Sequence, residues 1–196
     1  MKHLSQCLPE RYTRVINGNT YGVRSLRYPA DLSLLHRWMN TEHVIQQWQM
    51  NKPLHEIATF LEKMLADDHQ RLYLILLGET PVGYLEIYEC HRDRLARYYQ
   101  SSTDDMGWHL LFGETWFEGH GHLRPVLAMI NHFIFDSLPK TERILFEPDS
   151  GVAAFKRVSP DLAYEEIGRL AFPEKDATLY ACERKNFFTL LETTIS

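Results

Sequence analysis

Apolar residues recur three and four apart from Leu123 to Leu138. Leu123, Val126, Leu127, Ile130, Phe133 and Ile134 fall on one helical face, and Pro125 lies in the first turn, where its missing N–H costs nothing. On either side stand short apolar runs, 105–112 and 143–147, which predict buried strands stopped by Gly113 and Pro148. The centre of the chain is therefore strand, glycine loop, helix, strand. Upstream, Tyr21 to Arg27 alternates and predicts an edge strand. Pro29 opens a helix bearing Leu32, Leu35, Trp38 and Met39, and Thr41 to Met50 forms a junction. Leu54, Ile57, Phe60, Leu61, Met64 and Leu65 stripe a second helix. Arg71 to Leu77 and Val82 to Glu89 are strands joined by a hairpin turn at 78–81. After a polar stretch, Cys90 to Thr103, and the central unit, Val152 to Val158 predicts a short helix. Ala163 to Arg169 and Ala177 to Cys182 predict a closing strand pair, and Asn186 to Leu191 a helical turn. Residues 1–19, ending in the turn-like Asn17-Gly18-Asn19, read as a loose N-terminal extension to a domain over 20–196. The sum is an α/β single domain, a mixed sheet of about seven strands with helices on both faces.

Composition narrows the partners. The chain has 196 residues and a net charge of −5, which leaves no basic footprint for nucleic acid. Three cysteines without CxxC spacing suit a reducing compartment. The N-terminus carries no apolar leader, and no window approaches the ~20 apolar residues of a membrane span. A cytoplasmic location is expected, without a membrane partner, as monomer or homodimer.

The glycine loop is the first candidate for chemistry. Gly119-His120-Gly121-His122 precedes a helix, where orphan amides and the positive end of the helix dipole receive an anion. His120 and His122 form a His-x-His, but no third ligand stands at zinc spacing, so no metal is expected.

The element order, with this loop between the fourth strand and the third helix, resembles the GCN5-related N-acetyltransferase fold, which implies a mixed, mostly antiparallel sheet. Trp116 stands where that family commonly has Gln or Arg at the head of the loop. Trp38-Met39-Asn40 with Val44 and Trp48, Tyr84 to Tyr88, Asp105 to Gly113, Gly119 to His122, Glu147-Pro148-Asp149 and Phe172 to Lys175 narrow the resemblance further. They are similar to the siderophore-biosynthesis branch, the aerobactin-type N-hydroxylysine acetyltransferases and the acyltransferases of N-hydroxylated putrescine or cadaverine. The resemblance implies transfer of an acetyl or succinyl group from CoA to a hydroxylamine nitrogen. Ser150-Gly151-Val152 replaces the Arg-Asn usual after Glu-Pro-Asp, which bears on CoA contact at the next helix.

Within that frame His109 is the candidate base and Asp149 its partner, orienting the ring or binding the hydroxylamine OH. Leu110, Leu111 and Phe112 supply amides for the developing oxyanion, while Gly119, His120, Gly121 and His122 border the pyrophosphate. Glu86, framed by Tyr84 and Tyr88, is a receptor for a distal ammonium, and Trp38, Asn40 and Trp48 form a lid over the N-hydroxylated amine. Each has a plainer reading: a histidine satisfied by a backbone carbonyl, a helix cap at Asp149, a solvated edge charge at Glu86, core aromatics at Trp38 and Trp48. Arg92, Arg94 and Arg97 read as a solvated loop. Two further functions stay open, an amine acetyltransferase of broader scope (aminoglycoside or polyamine) and a non-catalytic acyl-CoA-binding module.

Overall fold

A computed structural model describes residues 3–195. One eight-stranded sheet runs β1 (Arg11–Ile16), β2 (Asn19–Ser25), β3 (Gln70–Leu77), β4 (Thr80–Glu89), β5 (Met106–Phe112), β6 (Arg143–Phe146), β8 (Asp176–Glu183), β7 (Tyr164–Ala171). Every pairing is antiparallel except β5 with β6. That one parallel pair needs a crossover, supplied by α4 (Leu123–Ser137).

Helices cover both faces. Val126, Leu127, Ile130, Phe133 and Ile134 of α4 pack on Val23, Tyr73, Ile75, Leu85, Ile87 and Trp108, with Phe155 of α5 (Ala153–Val158) and Phe187 of α6 (Arg184–Ile195). On the other face α1 (Leu32–Met39), α2 (Glu42–Trp48) and α3 (Leu54–Ala66) set Leu35, Trp38, Val44, Ile57 and Leu61 over Leu72, Leu74, Leu76, Tyr84 and Leu111. Cover on both faces explains why most of β3 and β4 is buried without alternation.

Three expectations need correction. Within the expected loose extension 1–19, of which residues 3–19 are described, Arg11–Ile16 is strand β1, so β2 is internal and the strands number eight. Its alternation is half-exposed, with Arg11, Thr13 and Val15 outward, and Asn17 and Gly18 at positive φ make the hairpin turn. Ahead of it, the N–H and hydroxyl of Ser5 each donate at 2.9 Å to the buried carboxylate of Glu89. The junction Thr41 to Met50 contains α2, and the C-terminal turn extends into the twelve-residue α6.

One feature of the sheet positions the site. β5 pairs with β4 along its whole length, Gly83↔Phe112 through Glu89↔Met106, but with β6 only at Met106↔Ile144 and Gly107↔Leu145. Beyond Gly107 the two parallel strands part, and a cleft of about 420 Å³ opens between Trp108, Leu110 and Phe112 on one wall and Phe146, Val152 and Phe155 on the other.

Candidate active site

Three rows of paired residues share one face of β4 and β5: Tyr84 with Leu111, Glu86 with His109, Tyr88 with Gly107. The middle row carries the charge. His109 Nε2 lies 2.6 Å from Glu147 Oε1, and Nδ1 lies 3.4 Å from Glu86 Oε2. Glu147 follows the last residue of β6 and is 1 % exposed. Tyr88 donates to its other oxygen at 3.0 Å, and Lys175 donates to its backbone carbonyl at 2.8 Å. Tyr84 donates to Glu86 at 2.9 Å. The His109 side chain is 28 % exposed, so the imidazole meets solvent while both of its carboxylates stay covered.

Burial disfavours the imidazolium, but Glu147 first and Glu86 second outweigh it and hold the His109 pKa up to about 10. Burial pulls Glu147 the other way, yet the facing imidazolium keeps its carboxyl below the usual range. Burial and Glu147 push the Tyr88 hydroxyl well above its ordinary value, so it remains a donor. The resting imidazolium is thus held between two buried carboxyl groups, Glu147 at the shorter distance.

Gly107 makes room for this arrangement. A Cβ there would lie 2.4–2.7 Å from the Tyr88 ring. Gly107→Ala is expected to displace Tyr88 from Glu147, cost about 1–3 kcal/mol of stability and lower turnover roughly tenfold. Urea unfolding beside steady-state rates checks both.

Strand alternation sorts the cleft-facing backbone. Gly113 N donates to Val82 O, so the main-chain groups of Leu111 and His109 also face β4, while those of Leu110 and Phe112 face the gap. Two side chains of α2 reach the same edge: Trp48 Nε1 donates to Leu110 O at 3.3 Å, and His43 Nε2 sits 2.8 Å from Phe112 O. The Leu111 amide is committed to the β4 ladder, which removes it from the expected set of three.

The loop ahead of α4 holds Gly119 at φ 75° and Gly121 at φ 82°, each with open space where a Cβ would stand. No side chain caps α4, so its first amides stay available to a ligand. This chemistry fits a diphosphate. His120 is exposed. His122 instead turns inward, with Nδ1 2.8 Å from the Tyr21 hydroxyl and the ring stacked on Phe117 at 4.1 Å. Burial lowers its pKa.

Other expected residues lie elsewhere. Asp149 does not reach His109: it is exposed, bridges to Ala177, and accepts from Gly151 N at 2.8 Å. Glu86 is 5 % exposed and already holds two partners, so it is no open receptor for an ammonium. Trp38 is core, fully buried, donating Nε1 to Glu114 at 2.9 Å, and a Cβ at Gly113 would lie 2.1 Å from its ring. Asn40 caps α1 and ties it to Lys52 O. Trp48 does line the cleft. The sequence marks Glu147 only as part of the Glu147-Pro148-Asp149 block and assigns the role to Asp149, since Leu145, Glu147 and Asp149 share strand parity. The discriminating fact is where β6 ends, at Phe146, which parity does not reveal. Among the described residues no three His, Cys, Asp or Glu side chains are placed to hold a metal, and no helix is long and apolar enough to cross a membrane.

Residues 27–172 match the acetyltransferase (GNAT) domain. The chain is 42 % identical over 188 residues to an N-hydroxyputrescine acetyltransferase of Acinetobacter baumannii, covering 96 % of this chain and 89 % of that protein. It is 29 % identical over 160 residues to an N(6)-hydroxylysine O-acetyltransferase of Escherichia coli, covering 82 % of this chain and 51 % of that protein, so it spans about half of that relative's length. Among solved structures, an uncharacterized protein of Bacillus halodurans has the same fold, with a TM-score of 0.88 at 29 % identity over 93 % of this chain and 94 % of that one.

Proposed function

Because the chain belongs to the acetyltransferase (GNAT) domain family, we propose that it transfers an acetyl group from acetyl-CoA to the hydroxylamine nitrogen of an N-hydroxylated diamine of putrescine or cadaverine length. The product is a hydroxamate, the iron-binding unit of a class of siderophores. The observation that carries this reading is His109, held between Glu147 and Glu86 on the strand that borders the cleft.

A hydroxylamine nitrogen is a weak base, neutral near pH 7, so it attacks without prior deprotonation. What the site must do is accept the nitrogen's proton as the C–N bond forms and the C–S bond breaks. Glu147 pins the ring through the short Nε2 contact. The longer Nδ1 contact to Glu86 is the one a substrate can replace. A diamine brings its own distal ammonium, whose charge lowers the imidazolium pKa and frees Nδ1 to act as base. The gap-facing amides of Leu110 and Phe112 stabilise the oxyanion, and the loop from Gly119 to Gly121 holds the diphosphate. Aminoglycosides fit poorly, since a polycation asks for several open carboxylates and those at His109 are covered.

The test is thiol release from acetyl-CoA with N-hydroxyputrescine, N-hydroxycadaverine, N-hydroxylysine, spermidine and kanamycin, with ferric-hydroxamate colour as the second readout. The hydroxylated diamines are expected to exceed the others in kcat/KM by at least about tenfold, because the rejected amines leave site groups unpaired. Release with kanamycin or spermidine at equal rates, without hydroxamate, contradicts the reading.

A further inference from the structure

We infer that Trp48 sets the length of the acyl group, admitting acetyl and excluding chains longer by two carbons or ending in a carboxylate. This rests on the acyltransferase reading and names the residue that selects its donor.

Trp48 covers the row beside the catalytic one. Its ring packs edge-on against Tyr84, centroids 5.8 Å apart, and Tyr84 is fully buried with Leu111 opposite. That row is the neighbour of Glu86 and His109 on the same face, so an acyl group brought beside His109 from the gap abuts the indole, which lines the cleft with Leu111. The wall is held in place. Trp48 Nε1 grips Leu110 O at 3.3 Å, and His43, at the other end of α2, sits 2.8 Å from Phe112 O. Gln49, at φ 52°, ends the helix directly after Trp48. Both side-chain contacts fall on main-chain carbonyls that β6 has left unpaired, so α2 substitutes for the missing strand and carries its indole along the cleft.

This wall offers a second carboxylate no charge: Gln47 beside Trp48 is a neutral amide, and the cation lining the cleft, Arg157, stands on α5. Trp48 and Leu111 present a ring and methyls, and the hydroxyl of Tyr84, buried behind them, is committed to Glu86. His43 is engaged by Phe112 O and lies 3.6 Å from Glu118. A succinyl terminus placed here leaves its solvent without gaining a charged partner.

The experiment compares the wild-type chain with Trp48→Ala and Trp48→Phe, using acetyl-, butanoyl- and succinyl-CoA. Thiol release with N-hydroxyputrescine gives kcat/KM, and calorimetry gives the affinity for each thioester without any amine. Wild type is expected to favour acetyl over butanoyl by roughly 100-fold, in the range of a pocket that rejects added methylenes. Trp48→Ala is expected to shrink that ratio at least tenfold, and Trp48→Phe, which keeps a ring but loses the N–H, to fall between. Thermal melts establish that the variants are folded. A wild-type chain that takes butanoyl as readily as acetyl overturns the inference, even if no variant folds. So does an unchanged ratio in a folded Trp48→Ala. Should no amine give thiol release, the acyltransferase reading fails, while the calorimetric ratios still decide the role of Trp48.

Discussion

His109→Ala is expected to lower kcat by about 10²–10⁴-fold while leaving acetyl-CoA affinity within a few-fold, the signature of losing a proton acceptor rather than a binding contact. The separation follows from placement. The glycine loop and the gap-facing edge of β5 hold the thioester, whereas the imidazole projects from the face that carries Glu86 and Tyr88. Removing the ring also leaves two buried carboxylates without their cation, a loss of about 3–5 kcal/mol for a broken buried pair. Stability should therefore recover at lower pH, as Glu147, which loses the imidazolium that lowers its pKa, protonates. His109→Gln, which restores hydrogen bonding but not the base, separates the effects: it is expected to melt closer to wild type and remain equally slow. A Gln variant with near wild-type kcat would remove His109 from the chemistry.

Glu147→Gln is expected to have the second largest effect, roughly 10²-fold or more in kcat, because an orienting carboxylate fixes both the ring and its protonation state. The pH dependence distinguishes orientation from mere packing. In the wild-type protein the His109 pKa is raised to about 10, so kcat/KM climbs through the alkaline range as the free protein's imidazolium loses its proton. Without the Glu147 charge the rise should move down by roughly one to three pH units toward the ordinary histidine value. The same shift appears in stability. A raised pKa gives the folded protein a contribution that is complete below the unfolded value near 6.5 and fades as pH rises through about 10. Glu147→Gln should flatten that alkaline decline. The depressed Glu147 carboxyl acts at the other end, adding stability above its unfolded pKa that is lost on acidification. A variant with an unmoved kcat/KM profile would mean that Glu147 does not set the ionisation of His109.

The strongly periodic segments were readable from the chain. The stripe of α4, the apolar runs of β5 and β6 and the glycine loop between them define the parallel pair and its crossover, hence the place of the site. The failures have distinct causes. β1 alternates at the edge of the sheet with arginines at both Arg11 and Arg14, so it lacks the apolar run of an internal strand. α2 has only seven residues and is fastened by two side-chain bonds to a strand far away in sequence, which no local period encodes. Glu147 and Asp149 share parity, and only the early end of β6 gives the first to His109 and the second to a turn. Glu86 was legible as a face-sharing carboxylate, but its role depends on His109 standing opposite, a register fixed by pairing along the whole of β5. Trp38 and Trp48 have similar spacing credentials; packing makes one core and the other a wall.

A crystal structure of the chain with CoA and N-hydroxyputrescine tests the central claim most directly. The diphosphate is expected on the amides from Gly119 to Gly121, the sulfur in the gap beside Leu110, and the hydroxylamine nitrogen about 3–3.5 Å from the position of the thioester carbon with its proton facing His109. CoA bound outside the gap between β5 and β6, or an imidazole that no bound amine can reach, would contradict it.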